Sequence, residues 1–165
     1  MQWKRWRLKS EKKSDLIIRP SHLVLGEMGE QLAAEHLKGN GYQIVLTNLV
    51  VPIAYSLSGR QIHGEIDIVA YDQTMTPFTL AFIEVKTRTK SDIATPEAAV
   101  NAQKQRRIVR AAKVYRRLLR IEKELYRYDV ISIIASGDGP PECTLLRNYF
   151  TEQRFTQSSW YAQKF

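Results

Sequence analysis

The 165-residue chain has a single cysteine, Cys143, so no disulfide within the chain is possible and nothing points to an oxidising compartment. No stretch approaches the ~20 apolar residues of a membrane span. The basic N-terminus is not followed by the apolar core of a signal peptide, because Ser10-Glu11-Lys12-Lys13-Ser14-Asp15 interrupts it. A cytoplasmic protein without membrane contact is therefore expected. There is no glycine-rich phosphate loop, no zinc-ligand spacing, no internal repeat and no low-complexity tract. A recognition-helix or RNA-motif signature is also missing, which sets base-specific readout aside. Acid is scarce relative to base: 17 Asp and Glu against 25 Lys and Arg give a net charge of +8, which favours an anionic partner.

The length suits one domain with a real core, and 44% hydrophobic residues indicate a globular chain. The base is concentrated in two places. Seven basic residues lie in residues 1–20 (Lys4, Arg5, Arg7, Lys9, Lys12, Lys13, Arg19) and nine between Lys104 and Lys123. The first group forms a polar extension in which Trp3 and Trp6 stack on bases, sit at a membrane surface, or tuck against the body of the protein from a mobile, solvated tail. Residues 21–150 form the expected domain, and 151–165 a polar tail with aromatic punctuation.

Leu25, Met28, Leu32, Ala33 and Leu37 approximate helical spacing over Leu23 to Gly39, and Gly39-Asn40-Gly41 stops that helix. Tyr42–Val51, Ile62–Tyr71 and Thr79–Thr87 read as three strands of an antiparallel meander, with Pro52 to Gln61 as a long connection. Thr95-Pro96-Glu97 marks a helix start. From there Val100, Ile108, Ala111, Ala112, Tyr115, Leu118 and Leu119 supply an apolar stripe toward Glu124. Tyr126–Ala135 is a fourth strand and Thr144–Tyr149 a short fifth. The expected fold class is α/β, one mixed sheet flanked by helices, with the long helix as a parallel crossover between the third and fourth strands.

The chemistry concentrates in His63-Gly64-Glu65-Ile66-Asp67 and Phe82-Ile83-Glu84-Val85-Lys86. Both read as strands with buried flanks, yet both carry charge, and buried charge is costly unless paired or coordinated to a metal. Strand alternation puts Glu84 and Lys86 on one face, and Glu65, Asp67 and Val69 on one face of their own strand. If the strands are neighbours, two carboxylates and an ammonium converge. Mg²⁺ takes oxygen ligands and keeps several waters, so Asp67 and Glu84 suffice to hold it, with the Val85 carbonyl available between Glu84 and Lys86 and Mn²⁺ as a substitute. Lys86 then orients a water or stabilises charge developing on a phosphoryl oxygen. The competing reading makes Glu84 and Lys86 an exposed ion pair of little energetic value. His63 is a metal ligand, a general base or a solvated strand-edge residue. Lys104, Arg106, Arg107, Arg110, Lys113 and Arg117 either contact phosphate backbones, which fixes position without reading sequence, or form a solvated cationic face.

Gly29-Glu30-x-x-Ala33-Ala34-x-x-Leu37, Gly41-Tyr42-x-Ile44, Asn48, Gly64-Glu65-Ile66-Asp67-Ile68-Val69-Ala70, Phe82-Ile83-Glu84-Val85-Lys86-Thr87-Arg88 and Arg127-Tyr128-Asp129-Val130 together resemble the YraN-like family of bacterial proteins. That family is grouped with restriction-endonuclease-like folds and archaeal Holliday-junction resolvases. The resemblance spans about Leu25 to Ile134 and implies a PD-(D/E)XK nuclease core acting on DNA, including branched DNA. It adds Glu30, from the first helix, to Asp67, Glu84 and Lys86 as a catalytic residue, and it matches Lys104 to the family's lysine at the start of the second helix. A symmetric homodimer follows by analogy with resolvases. The chain departs from the family pattern at Val50, where an arginine is usual, and in the expanded 52–61 connection. Two rival classes stand beside the nuclease: a non-catalytic nucleic-acid-binding module using helix 104–120, and a protein-interaction domain with an incidental basic surface.

Overall fold

The computed structural model of the chain describes residues 21–89, 100–135 and 139–155, with side chains from residue 26 onward. The basic extension with Trp3 and Trp6, the helix start at Thr95-Pro96-Glu97 and the tail beyond Phe155 lie outside these residues. Helix α1 (Ser21–Gly39) ends where Gly41 takes φ +80°, a conformation open to glycine. Strand β1 (Tyr42–Tyr55) and strand β2 (Gln61–Asp72) form an antiparallel hairpin. The long connection expected from Pro52 is instead an extension of both strands. Only residues 56–60 turn, closed by Ser56 N–H to Arg60 O at 2.8 Å and Gly59 N–H to Ser56 O at 2.9 Å. Pro52 is tolerated because β1 is an edge strand and its register shifts between Pro52 and Ala54.

Strand β3 (Thr79–Thr89) pairs antiparallel with β2 over Asp72↔Thr79 to Ile68↔Ile83 only. It continues alone on that side while pairing in parallel with β4 (Tyr126–Ala135) along its whole length. Strand β5 (Glu142–Phe150) completes an antiparallel edge, giving the order β1-β2-β3-β4-β5. This mixed sheet flanked by helices is the expected α/β architecture.

Helix α2 (Ala102–Leu118) makes the β3-to-β4 crossover. Asn101 is its N-cap: the residue is extended and its side chain accepts from Lys104 N–H at 2.9 Å. It ends before Glu124, because Arg120 turns to φ +58°. Each helix covers one face of the sheet. Ile108, Val109, Ala111, Ala112 and Tyr115 of α2 pack with Ile66, Leu80, Phe82, Tyr128 and Phe150. Ala33 and Leu37 of α1 pack with Ile68, Ala70, Ile83, Val85, Ile131 and Ile133. Met28, Leu118 and Leu119, expected in the apolar stripes, are exposed. Among the described residues no helix is long and apolar enough to cross a membrane.

Two glycines set the helix-to-sheet distances. At Gly29 a Cβ would fall 1.8 Å from Thr87 Oγ1, so α1 lies against β3 with no room for a side chain. At Gly64 a Cβ would meet Ala111 Cβ and the Arg107 carbonyl, each at 3.0 Å, so β2 passes directly beneath α2. At the far end of the strands, Arg127 binds Asp72 at 2.6 Å and Asp129 at 2.9 Å, and both carboxylates are buried. Arg127 and Arg147 also reach the Tyr42 hydroxyl, tying β1, β2, β4 and β5 together.

Candidate functional site

The site forms where β2 leaves β3. Beyond Ile68 the ladder stops, and the Asp67 carboxylate takes its place, its Oδ2 accepting the Val85 N–H at 2.7 Å. The strict alternation expected around Asp67 breaks here. Ile66 joins the core under α2 and Ile68 the core under α1, although a regular strand would put both on one face. Asn48, in register opposite Asp67, has φ +54°, a left-handed conformation that asparagine tolerates better than most residues. The N–H and C=O of a strand residue project toward the same neighbour, so the Val85 carbonyl also faces the side vacated by β2.

Glu84 and Lys86 share a face as expected, and Lys86 Nζ lies 2.7 Å from Glu84 Oε1. The pair is no surface bridge, because Glu84 is 1% exposed. Its other oxygen, Oε2, is buried without an aligned hydrogen-bond partner; its near neighbour is Lys104 Nζ at 3.2 Å. Burial, the Glu84 charge and, more weakly, Glu30 push the Asp67 carboxyl up to about 6, against the pull of the Val85 N–H and the Lys104 ammonium. Burial pulls the Lys104 ammonium down, but Glu84 and Asp67 outweigh it and hold its pKa above the ordinary lysine value.

Glu30 enters from α1, near enough for its charge to act on Asp67. It lines a groove of about 400 Å³ with Glu27, Gln31, Ala34, Thr47 and Asn48. The structure thus gathers Glu30, Asp67, Glu84, Lys86 and Lys104 around the point where the ladder ends. His63 is exposed beside the edge-strand Pro52. Among the described residues no group of three or more His, Cys, Asp or Glu side chains is arranged to hold a metal. A cation here would rest on Asp67, Glu84, the Val85 carbonyl and waters, which suits a hard ion that keeps part of its hydration shell.

The basic helix is less uniform than its composition suggests. Lys104 belongs to the carboxylate cluster, Lys113 pairs with Glu152 at 2.9 Å, and Arg106 lies over the Phe155 ring. Arg116 is buried against Tyr126 with its guanidinium 3.5 Å from the ring centroid. Arg107, Arg110 and Arg117 are exposed and make no ion pair among the described residues. The resemblance placed Lys104 at the start of the second helix, but its contact with Glu84 was not read from the sequence. With Asn101 as N-cap, Lys104 falls in the first turn, where a cation opposes the helix dipole and needs a compensating acid.

An interrupted strand ladder, a buried and a half-buried carboxylate and two lysines define an α/β protein with a charged strand-end site. Residues 29–133 match the uncharacterised protein family UPF0102, and the chain belongs to that family. A UPF0102 protein of Symbiobacterium thermophilum is 40% identical over 126 residues, covering 76% of this chain and 95% of its own. One from Chlorobium limicola is 38% identical over 136 residues, covering 82% and 92%. Among solved structures, SSO0001 aligns with a TM-score of 0.38 at 19% identity, over 87% of this chain and 62% of its own.

Proposed function

We propose that this protein is a Mg²⁺-dependent nuclease, also served by Mn²⁺, that hydrolyses phosphodiester bonds in DNA, including branched or otherwise structured DNA. The observation that carries this reading is Glu84, a buried carboxylate beside Asp67 with one oxygen short of an aligned partner. Such crowding of acid is costly and is relieved by a divalent cation. Asp67, Glu84 and the Val85 carbonyl would hold the ion, which when bound polarises the phosphoryl oxygens and acidifies a water. Lys86, pinned beside Glu84 by its 2.7 Å contact, orients the attacking water or donates from Nζ to the charge gathering on the phosphate. Glu30 adds negative charge on the α1 side of the site. Arg107, Arg110 and Arg117 give the DNA backbone a cationic track leading away along α2. A cytoplasmic homodimer working on two strands completes the proposal by analogy with resolvases.

One observation favours a second reading. Lys86 and Lys104 each meet an oxygen of Glu84, so Asp67, Glu84 and the two lysines cancel in charge. A self-neutralised cluster suits a non-catalytic nucleic-acid-binding module that uses residues 104–120. Cleavage of duplex, single-stranded and four-way-junction DNA with Mg²⁺ separates the two. The nuclease reading expects activity that is lost in both Asp67→Asn and Lys86→Ala. Cleavage that survives both substitutions, or no cleavage of any substrate, sinks it.

A further inference from the structure

The two lysines on Glu84 are not equivalent. Lys86 sits two residues away on the same strand and contacts Oε1 at 2.7 Å. Lys104 reaches across from α2 and stands 3.2 Å from Oε2, an oxygen with no aligned hydrogen bond. A cation shared by Asp67 and Glu84 must take an oxygen from one of these ammonium groups, and the longer, poorly aligned contact yields at lower cost.

We propose that Lys104 is a displaceable counterion: it holds Glu84 while no divalent ion is present and turns toward the substrate phosphate once one binds. The inference rests on the metal-site reading above. Its basis is charge and reach. With Lys104 in place Asp67, Glu84, Lys86 and Lys104 sum to zero, and an added divalent ion leaves these four at +2 and, with Glu30, the site at +1, which repels the less tightly held ammonium. The Lys104 side chain is 29% exposed on a flexible stem, so it has somewhere to go. Its way out lies next to Arg107, one helical turn on, at the head of the unpaired arginines. Metal and nucleic acid would thereby favour one another through a single side chain, and such coupling is reciprocal.

The test uses the full chain, with Mn²⁺ titrated calorimetrically into wild type and Lys104→Met, and a non-cleavable phosphorothioate duplex binding each protein with and without Mn²⁺. Removing the competitor should tighten Mn²⁺ binding by about 5- to 10-fold, within the usual range of site coupling. The same change should abolish most of the gain in DNA affinity that Mn²⁺ confers on the wild type. Equal or weaker Mn²⁺ binding in the variant makes Lys104 a fixed structural pin and overturns the inference while leaving the metal site standing. Absence of Mn²⁺ binding in both proteins overturns both. A measurement on the wild type covers the case of a misfolded variant: the Lys104 ammonium resonance should move as Mg²⁺ is added, and one that stays put refutes displacement.

Discussion

Replacing Asp67 with asparagine should stabilise the protein at neutral pH while removing its divalent-ion response. The Asp67 carboxyl is raised from 3.8 to about 6 by burial and then by the Glu84 charge. A raised folded-state value means that the folded protein resists ionisation. Below the unfolded value both states are protonated, and Asp67 costs the fold nothing. As pH rises through about 4 to 6 the unfolded chain ionises first, so stability falls, and above about 6 the full penalty is in place. Two units at ~1.4 kcal/mol each set an upper bound of about 3 kcal/mol. Asp67 is only half-buried, so solvent screening reduces this figure and a gain of ~1–2 kcal/mol is expected. The asparagine Oδ1 can still accept the Val85 N–H, so the ladder's end stays satisfied. Urea denaturation of both proteins across this pH range, without and with Mg²⁺, reads the effect. Groups common to both chains cancel in the difference. A variant that is less stable than wild type at pH 8, or a difference that does not change with pH, refutes the reasoning. So does Mg²⁺ stabilising the variant as much as the wild type.

Two further substitutions probe the frame around the site. Gly29→Ala places a methyl on Thr87 Oγ1 and should cost about 1–3 kcal/mol by displacing α1. Combining it with Thr87→Ala should recover much of that loss in a double-mutant cycle read by thermal unfolding, whereas strict additivity excludes the contact as the cause. Arg127→Met leaves Asp72 and Asp129 buried without their cation and should cost about 3–5 kcal/mol in urea denaturation, against little for an exposed control such as Arg110→Met.

The strands were legible because their patterns are local. Tyr126–Ala135 is rich in aromatic and β-branched residues and is followed by Gly137, and its observed bounds match those read from the sequence. The approach of Asp67, Glu84 and Lys86 was also legible, since charge inside apolar strand flanks demands a partner. What stayed hidden depends on contacts between distant residues. The need for glycine at 29 comes from Thr87, and at 64 from Ala111 and Arg107, none of which is near in sequence. The strand through Pro52 was missed because proline usually ends a strand, and only the edge position of β1 makes it harmless. Lys104 was grouped with the candidate phosphate contacts because eight neighbouring basic residues masked its approach to Glu84.

The break in the ladder ties the fold to its chemistry. Had β2 continued alongside β3, its backbone would have satisfied Val85 and left no place for a side chain. Its separation from β3 on the N-terminal side of Ile68 leaves the Val85 N–H in need of an acceptor, since a buried backbone donor rarely stays unpaired. A carboxylate at Asp67 answers that need and is carried into the reach of Glu84 by the same hydrogen bond. The helices then bring opposite charges to this point from opposite faces, Glu30 on α1 through the close approach at Gly29 and Lys104 on α2 through the one at Gly64. Carboxylate repulsion at the site is therefore a consequence of how the sheet is built, and the two glycine contacts determine how closely the compensating and opposing charges approach it.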